Sequence, residues 1–169
     1  CVEDIDYRHP RGLNREVFAD LITCRWVRAH RNVIMCGPTG IGKTWLACAL
    51  AQRACREGYS VAYLRVPRLL HEMKFVEADG TYLRQRRKIA PKDLLVLDDI
   101  GLSPLPGDAG NHLLEVLDDR VGNRSTVVTS QLPVQKWHEL MDEPTVADAI
   151  LDRLLGGSIQ INLKGESMR

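Results

Sequence analysis

The sequence has no long apolar run, no excess of either charge and no paired cysteine motif, and each absence removes a class of protein. No apolar stretch reaches the roughly 18 residues that a membrane-spanning helix needs, so no membrane association of that kind is expected. The formal net charge is only +1, which neither demands a polyanionic partner nor forbids a local basic patch. Partners must therefore be argued from sites. Cys1, Cys24, Cys36, Cys48 and Cys55 form no CxxC pair, and their odd number argues against a disulfide framework. Several lie in apolar runs, as buried reduced thiols do, which points to a reducing cytoplasm. No secretory signal, internal repeat or low-complexity tract is visible. The opening "CVEDIDYRHPRGLNREVF" is polar and has no Met, so an upstream region is expected to be missing. What remains is 169 residues, 44% apolar and 27% charged, the make-up of one soluble domain with a sizeable core.

Apolar runs of the length of buried parallel strands stand at Val33–Cys36, Val61–Leu64, Leu94–Leu97 and Thr126–Thr129. A weaker alternating run, Ser158–Leu163, would put Ile159, Ile161 and Leu163 on one face. Helical patterns lie between them: Thr44–Glu57 closed by Gly58, Pro67–Val76 opened by its proline, Tyr82–Ile89, Asp108–Val121 closed by Gly122, a short Val134–Leu140, and Thr145–Leu155 closed by Gly156 and Gly157. This alternation predicts an α/β fold, a parallel sheet with helices on both faces and ligands at the carboxyl ends of its strands. Residues 1–30 read as an N-terminal linker and first helix, and 31–169 as the core.

The segment "GPTGIGKT" fits G-x-x-x-x-G-K-[ST] and stands between a strand and a helix, the setting that makes this pattern a phosphate cradle. Gly37, Gly40 and Gly42 let backbone N–H groups curl around an anion where a Cβ would block approach. The helix start adds unsatisfied N–H groups and a partial positive charge. Lys43 can reach the β and γ phosphates, and the Thr44 hydroxyl can ligate magnesium. The nucleotide-holding stretch runs Gly37, Pro38, Thr39, Gly40, Ile41, Gly42, Lys43, Thr44 and Trp45, with the Trp45 side chain and Cys48 read as packing residues. Leu46, Ala47, Leu50 and Ala54 are expected to face the sheet.

Downstream, "DLLVLDDIG" delivers Asp98 and Asp99 to the end of an apolar strand. Magnesium keeps several waters and takes one or two carboxylates, so Asp98 beside Thr44 suffices to hold it. Asp99 points elsewhere and is the candidate for orienting the water that attacks the γ phosphate. In "TVVTSQLP", Ser130 and Gln131 end the next strand, and the Gln131 amide can orient water or sense phosphate.

These residues resemble the AAA+ ATPases of the IstB type, transposition helper proteins related to the DnaC helicase loaders. The resemblance covers essentially the whole chain, through "IDYRHPRGL", "GPTGIGKTWLACALAQRAC", "LLVLDDIG", "VVTSQLP", "AILDRLL" and "LKGESMR". It implies a P-loop NTPase with a sheet of order 5-1-4-3-2, ATP held between neighbouring subunits, and assembly on DNA in support of a transposase. Lys43 and Thr44 match the Walker A positions, Asp98 and Asp99 the Walker B positions, Gln131 the first sensor, and Arg153 the arginine presented to the next subunit's nucleotide. Larger AAA+ proteins carry a helical lid for which this sequence has almost no room, leaving Arg169 as a remnant of a second sensor.

The run "RQRRKIA" places Arg84, Arg86, Arg87 and Lys88 together just after Tyr82, and a patch repeated around an oligomer would bind DNA phosphates without sequence preference. Arg65, Arg68 and Lys74 can extend that face, whereas His71 and His112 lack metal-ligand spacing and are assigned to packing or solvent. Ile5 and Tyr7 offer apolar surface for an adenine or for linker packing. The expected activity is a magnesium-dependent ATPase assisting a transposase. A helicase loader, a nucleotide kinase and a nucleotide-gated DNA-binding module without turnover are the alternatives.

Overall fold

The computed structural model describes residues 1–76 and 81–168. Five strands, β1 (Val33–Cys36), β2 (Val61–Arg65), β3 (Leu94–Ile100), β4 (Ser125–Ser130) and β5 (Ile159–Asn162), form one sheet of order β2-β3-β4-β1-β5. Every pairing is parallel, with Val33 opposite both Val127 and Ile159, and Leu94 opposite Val61 and Ser125. Read from the other edge, this is the order 5-1-4-3-2 that the resemblance implied. The strands fall where the apolar runs placed them, with β3 continuing through both aspartates to Ile100.

Strand alternation sorts the side chains into two cores. Val33, Met35, Leu94, Val96, Val127 and Ile161 face one side. There they meet α1 (Arg15–Ile22), α2 (Arg25–Arg28) and α3 (Lys43–Arg56). Leu46, Ala47, Leu50 and Ala54, each 0% exposed, form the inward stripe of α3. Ile34, Cys36, Leu95, Leu97, Ile100 and Val128 face the other side. That core is closed by residues of α4 (Val66–Val76), α5 (Thr81–Ile89), α6 (Gly107–Arg120) and α7 (Pro144–Leu155). Val134–Leu140 is a 3-10 helix, and its Trp137 is buried with the indole N–H donated to Leu132 O at 3.0 Å.

The N-terminal stretch shares the first core through Val2, Ile5, Phe18, Leu21, Trp26 and Val27. Ile5 is buried there with Ile41, while Tyr7 lies partly buried with the Arg15 guanidinium 5.4 Å from its ring centroid. Asn14 caps α1, its side chain accepting from the N–H groups of Glu16 and Val17. On the far side, the buried Arg120 guanidinium donates to the carbonyls of Ile89, Ala90, Lys92 and Ser125, tying α6 to the starts of β3 and β4.

Two sequence expectations need correcting. Trp45 is 41% exposed and packs into neither core, because it lies off the inward stripe of α3. The cysteines divide: Cys24 and Cys36 are buried, but Cys1, Cys48 and Cys55 are exposed. Burial pushes the Cys36 thiol up to about 11. Iodoacetamide at pH 8 is therefore expected to label Cys1 and Cys55 well ahead of Cys36, as read by peptide mass mapping. Rapid labelling of Cys36 would contradict its place in the sheet.

Candidate nucleotide site

The loop after β1 enters α3 with a tight reversal. Gly42 caps the helix at φ 93, a left-handed conformation that costs a glycine little, and Leu46 donates back to its carbonyl at 3.0 Å. Gly37 is fixed by proximity instead, since a Cβ there would lie 2.7 Å from Leu163 O. Lys43 is 5% exposed, and its ammonium donates to Gly37 O at 2.7 Å and Pro38 O at 2.9 Å. Burial lowers its pKa, opposed by the charges of Asp99 and Asp98.

The loop is backed by the two ends of the chain. Leu163 donates to Cys36 O at 2.7 Å, Lys164 to Arg11 O at 2.9 Å, and Met168 to Gly40 O at 3.0 Å. Arg11 is buried and donates to Ile41 O at 3.4 Å and to Asp6 O at 3.1 Å. The quoted runs "IDYRHPRGL" and "LKGESMR" are thus neighbours of the phosphate loop. Arg169 lies outside the described residues.

β3 brings its acids to the same place. Asp98 is 1% exposed and accepts from the Thr44 hydroxyl at 2.9 and 3.1 Å, from the Thr129 hydroxyl at 2.6 Å and from the Tyr63 phenol at 2.6 Å. Burial, followed by the Asp98 hydrogen bond, raises the Tyr63 pKa and keeps the phenol a donor. Asp99 leaves in another direction because the β3–β4 register slips here: Leu97 pairs with Val128, and Ile100 with Ser130. Two residues of β3 therefore oppose Thr129 alone, a bulge that re-aims the bulged side chain. Asp99 adopts φ 62, which aspartate tolerates better than most residues, and its N–H donates to Thr129 Oγ1 at 2.9 Å. Its carboxylate, 15% exposed, accepts from Arg65 Nε and Nη2 at 3.2 Å.

Gly37 donates to Ser130 O at 3.1 Å, so Gln131, half-buried, stands one residue beyond the start of the loop. The Ser130 hydroxyl is committed to Ile100 O at 2.7 Å. Arg153 is elsewhere. Asn32, immediately before β1, donates to the carbonyls of Arg153 and Leu154, which puts that end of α7 at the opposite end of the sheet from the loop. There Arg153 pairs with Asp118 at 2.7 Å and Asp152 at 3.4 Å.

In the basic run, Arg84, Arg87 and Lys88 are exposed, whereas Arg86 is held by Glu115 at 2.7 Å and Asp119 at 2.9 Å of α6. The free basic face is accordingly narrower than the sequence suggests. Arg65 belongs to Asp99, Arg68 is exposed, and the side chains of Lys74 and Tyr82 lie outside the described residues. Among the described residues no group of His, Cys, Asp or Glu has the arrangement of a metal cluster, and no helix is long and apolar enough to cross a membrane. The ligand set that fits a hard cation is the hydroxyl of Thr44 with the carboxylate of Asp98, which accepts from the hydroxyls of Thr44, Tyr63 and Thr129.

The profile of the family "IstB-like ATP binding protein" matches residues 1–169. The insertion sequence ATP-binding protein y4pL of Sinorhizobium fredii is 53% identical over 167 residues, covering 99% of this chain and 68% of that protein. Among solved structures, DnaI superposes with a TM-score of 0.81 at 21% identity, covering 99% of this chain and 89% of that one. The DnaC helicase loader superposes at 0.73 and 18% identity, covering 92% and 93%. Both share the AAA+ P-loop fold. With a strand-loop-helix cradle at Gly37–Thr44 and a buried aspartate bonded to it, the chain belongs to the IstB-like ATP-binding proteins.

Proposed function

We propose that this protein is a magnesium-dependent ATPase that assembles with copies of itself on DNA and assists the transposase of an insertion sequence. The observation that carries the reading is the bond from the Thr44 hydroxyl to the buried Asp98 carboxylate at 2.9 Å, which joins the phosphate loop to the acidic strand end. Magnesium held by these two residues would neutralise charge on the phosphate oxygens. Loop N–H groups and Lys43 bind the triphosphate. Asp99 orients a water and accepts its proton, and the Gln131 amide beside the loop senses the terminal phosphate. Arg153, turned away from its own loop, serves the nucleotide of a neighbouring subunit. Arg84, Arg87 and Lys88 supply a phosphate-binding face that gains strength by repetition around the assembly.

One observation favours a second reading, a nucleotide-gated DNA-binding module without turnover: the Asp99 carboxylate is paired with Arg65. Phosphate release measured against protein concentration, with and without duplex DNA, separates the two. Turnover per subunit is expected to rise steeply with concentration and further with DNA. Asp99→Asn is expected to keep ATP bound while slowing release about 10² to 10⁴-fold, the range for loss of a general base. No release from the unaltered chain under any condition would leave the gated module. A rate per subunit independent of concentration would remove the shared site.

A further inference from the structure

We propose that Tyr63 is a positioning residue for the divalent cation, holding the Asp98 carboxylate in the orientation that gives the nucleotide complex its metal affinity. The inference rests on the assignment of Thr44 and Asp98 to magnesium.

Sheet geometry brings the two side chains together. Tyr63 pairs with Val96 across β2 and β3, and Asp98 lies two residues beyond Val96 on the same face. That face is the one covered by α3, whose first turn carries Thr44. The phenol reaches Asp98 Oδ2 at 2.6 Å, the short distance of a charge-assisted hydrogen bond.

The donors around Asp98 divide the work. Oδ1 accepts from Thr129 at 2.6 Å and Thr44 at 2.9 Å, and Oδ2 from Tyr63 at 2.6 Å and Thr44 at 3.1 Å. Thr44 is itself assigned to the cation. The groups left to fix the carboxylate are therefore Thr129 on β4 and Tyr63 on β2, one on each oxygen. A carboxylate oxygen has two lone pairs, so one donor apiece steers the plane of the group without consuming its capacity to bind. Partners that orient a metal-ligating carboxylate typically govern about 10 to 100-fold in metal affinity.

Tyr63 has no comparable structural task. It is 45% exposed and belongs to neither buried core, so its hydroxyl can be removed without opening a cavity. An aromatic on an edge strand would otherwise be read as surface packing, for which Phe serves equally well.

The test uses the full chain and Mn²⁺ as the probe, with free ion read by electron paramagnetic resonance in the presence of AMPPNP. Fluorescent mant-ATP binding in EDTA reports nucleotide affinity without metal. Tyr63→Phe is expected to raise the Mn²⁺ dissociation constant about tenfold or more while leaving the EDTA affinity unchanged. An affinity for Mn²⁺ within twofold of the parent overturns the proposal if Asp98→Asn loses the ion in the same assay. Equal weakening with and without metal also overturns it, because Tyr63 would then act on the loop. If Asp98→Asn keeps parental Mn²⁺ affinity, the metal assignment falls and the role of Tyr63 falls with it.

Discussion

Lys43→Ala is expected to weaken ATP binding about 10² to 10⁴-fold while the chain still folds. An ammonium that reaches two phosphate groups forms two charge-assisted bonds of about 1.5 to 3 kcal/mol each, and each 1.4 kcal/mol is about tenfold in affinity. Lys43 is 5% exposed and its ammonium rests on the carbonyls of Gly37 and Pro38, so its reach is restricted to the loop it would serve. Folding gains little from this cation, since burial is the leading cause of its lowered pKa. The linkage sign follows. Between the lowered folded value and the ordinary value of 10.5, the folded chain binds fewer protons than the unfolded one, so stability rises with pH across that window. The variant should lose that alkaline rise and keep its melting temperature near neutrality. Calorimetric titration with ATP reads the first effect, and thermal melts between neutral and alkaline pH read the second. Affinity retained within fivefold would mean that Lys43 does not touch the triphosphate.

How far the sequence exposes this site depends on whether a feature is local. The loop, its strand and its helix are contiguous, and glycine, lysine and threonine at fixed offsets carry their own geometry. The inward stripe of α3 was equally legible from spacing, and the same spacing could have placed Trp45, Cys48 and Cys55 outside it. Asp98 was readable because an apolar strand ends on it. Its other partners were not. Tyr63 and Thr129 sit inside apolar runs, and only the adjacency of β2, β3 and β4 brings their hydroxyls to the carboxylate. That adjacency comes from the family resemblance rather than from periodicity. The bulge that turns Asp99 to φ 62 has no local signal either, since nothing in "LDDIG" announces a register slip against β4. Arg86 likewise reads as one cation in a basic run until α6 packs beside it with Glu115 and Asp119.

Arg153→Ala should lower ATP turnover about 10³ to 10⁵-fold, the range for an arginine supplied across an interface, without weakening ATP binding by the same subunit. The geometry excludes service in its own chain. Arg153 lies beside Asn32 at the start of β1, and the loop begins at Gly37 past its end. At about 3.3 Å per residue, β1 alone separates them by roughly 13 Å. Its ion pairs with Asp118 and Asp152 are half-exposed and worth about 1 kcal/mol or less, so they do not hold the guanidinium against a phosphate. The defect should therefore be complemented in trans. Subunits carrying Arg153→Ala keep Asp99, and subunits carrying Asp99→Asn keep Arg153. Mixing the two creates interfaces at which an intact Arg153 meets an intact Asp99. Phosphate release from the mixture should exceed the sum of the two separate rates and peak near equal amounts of each. A purely additive rate at every ratio would mean that Arg153 is not supplied across an interface, because the sheet already holds it away from its own chain's loop.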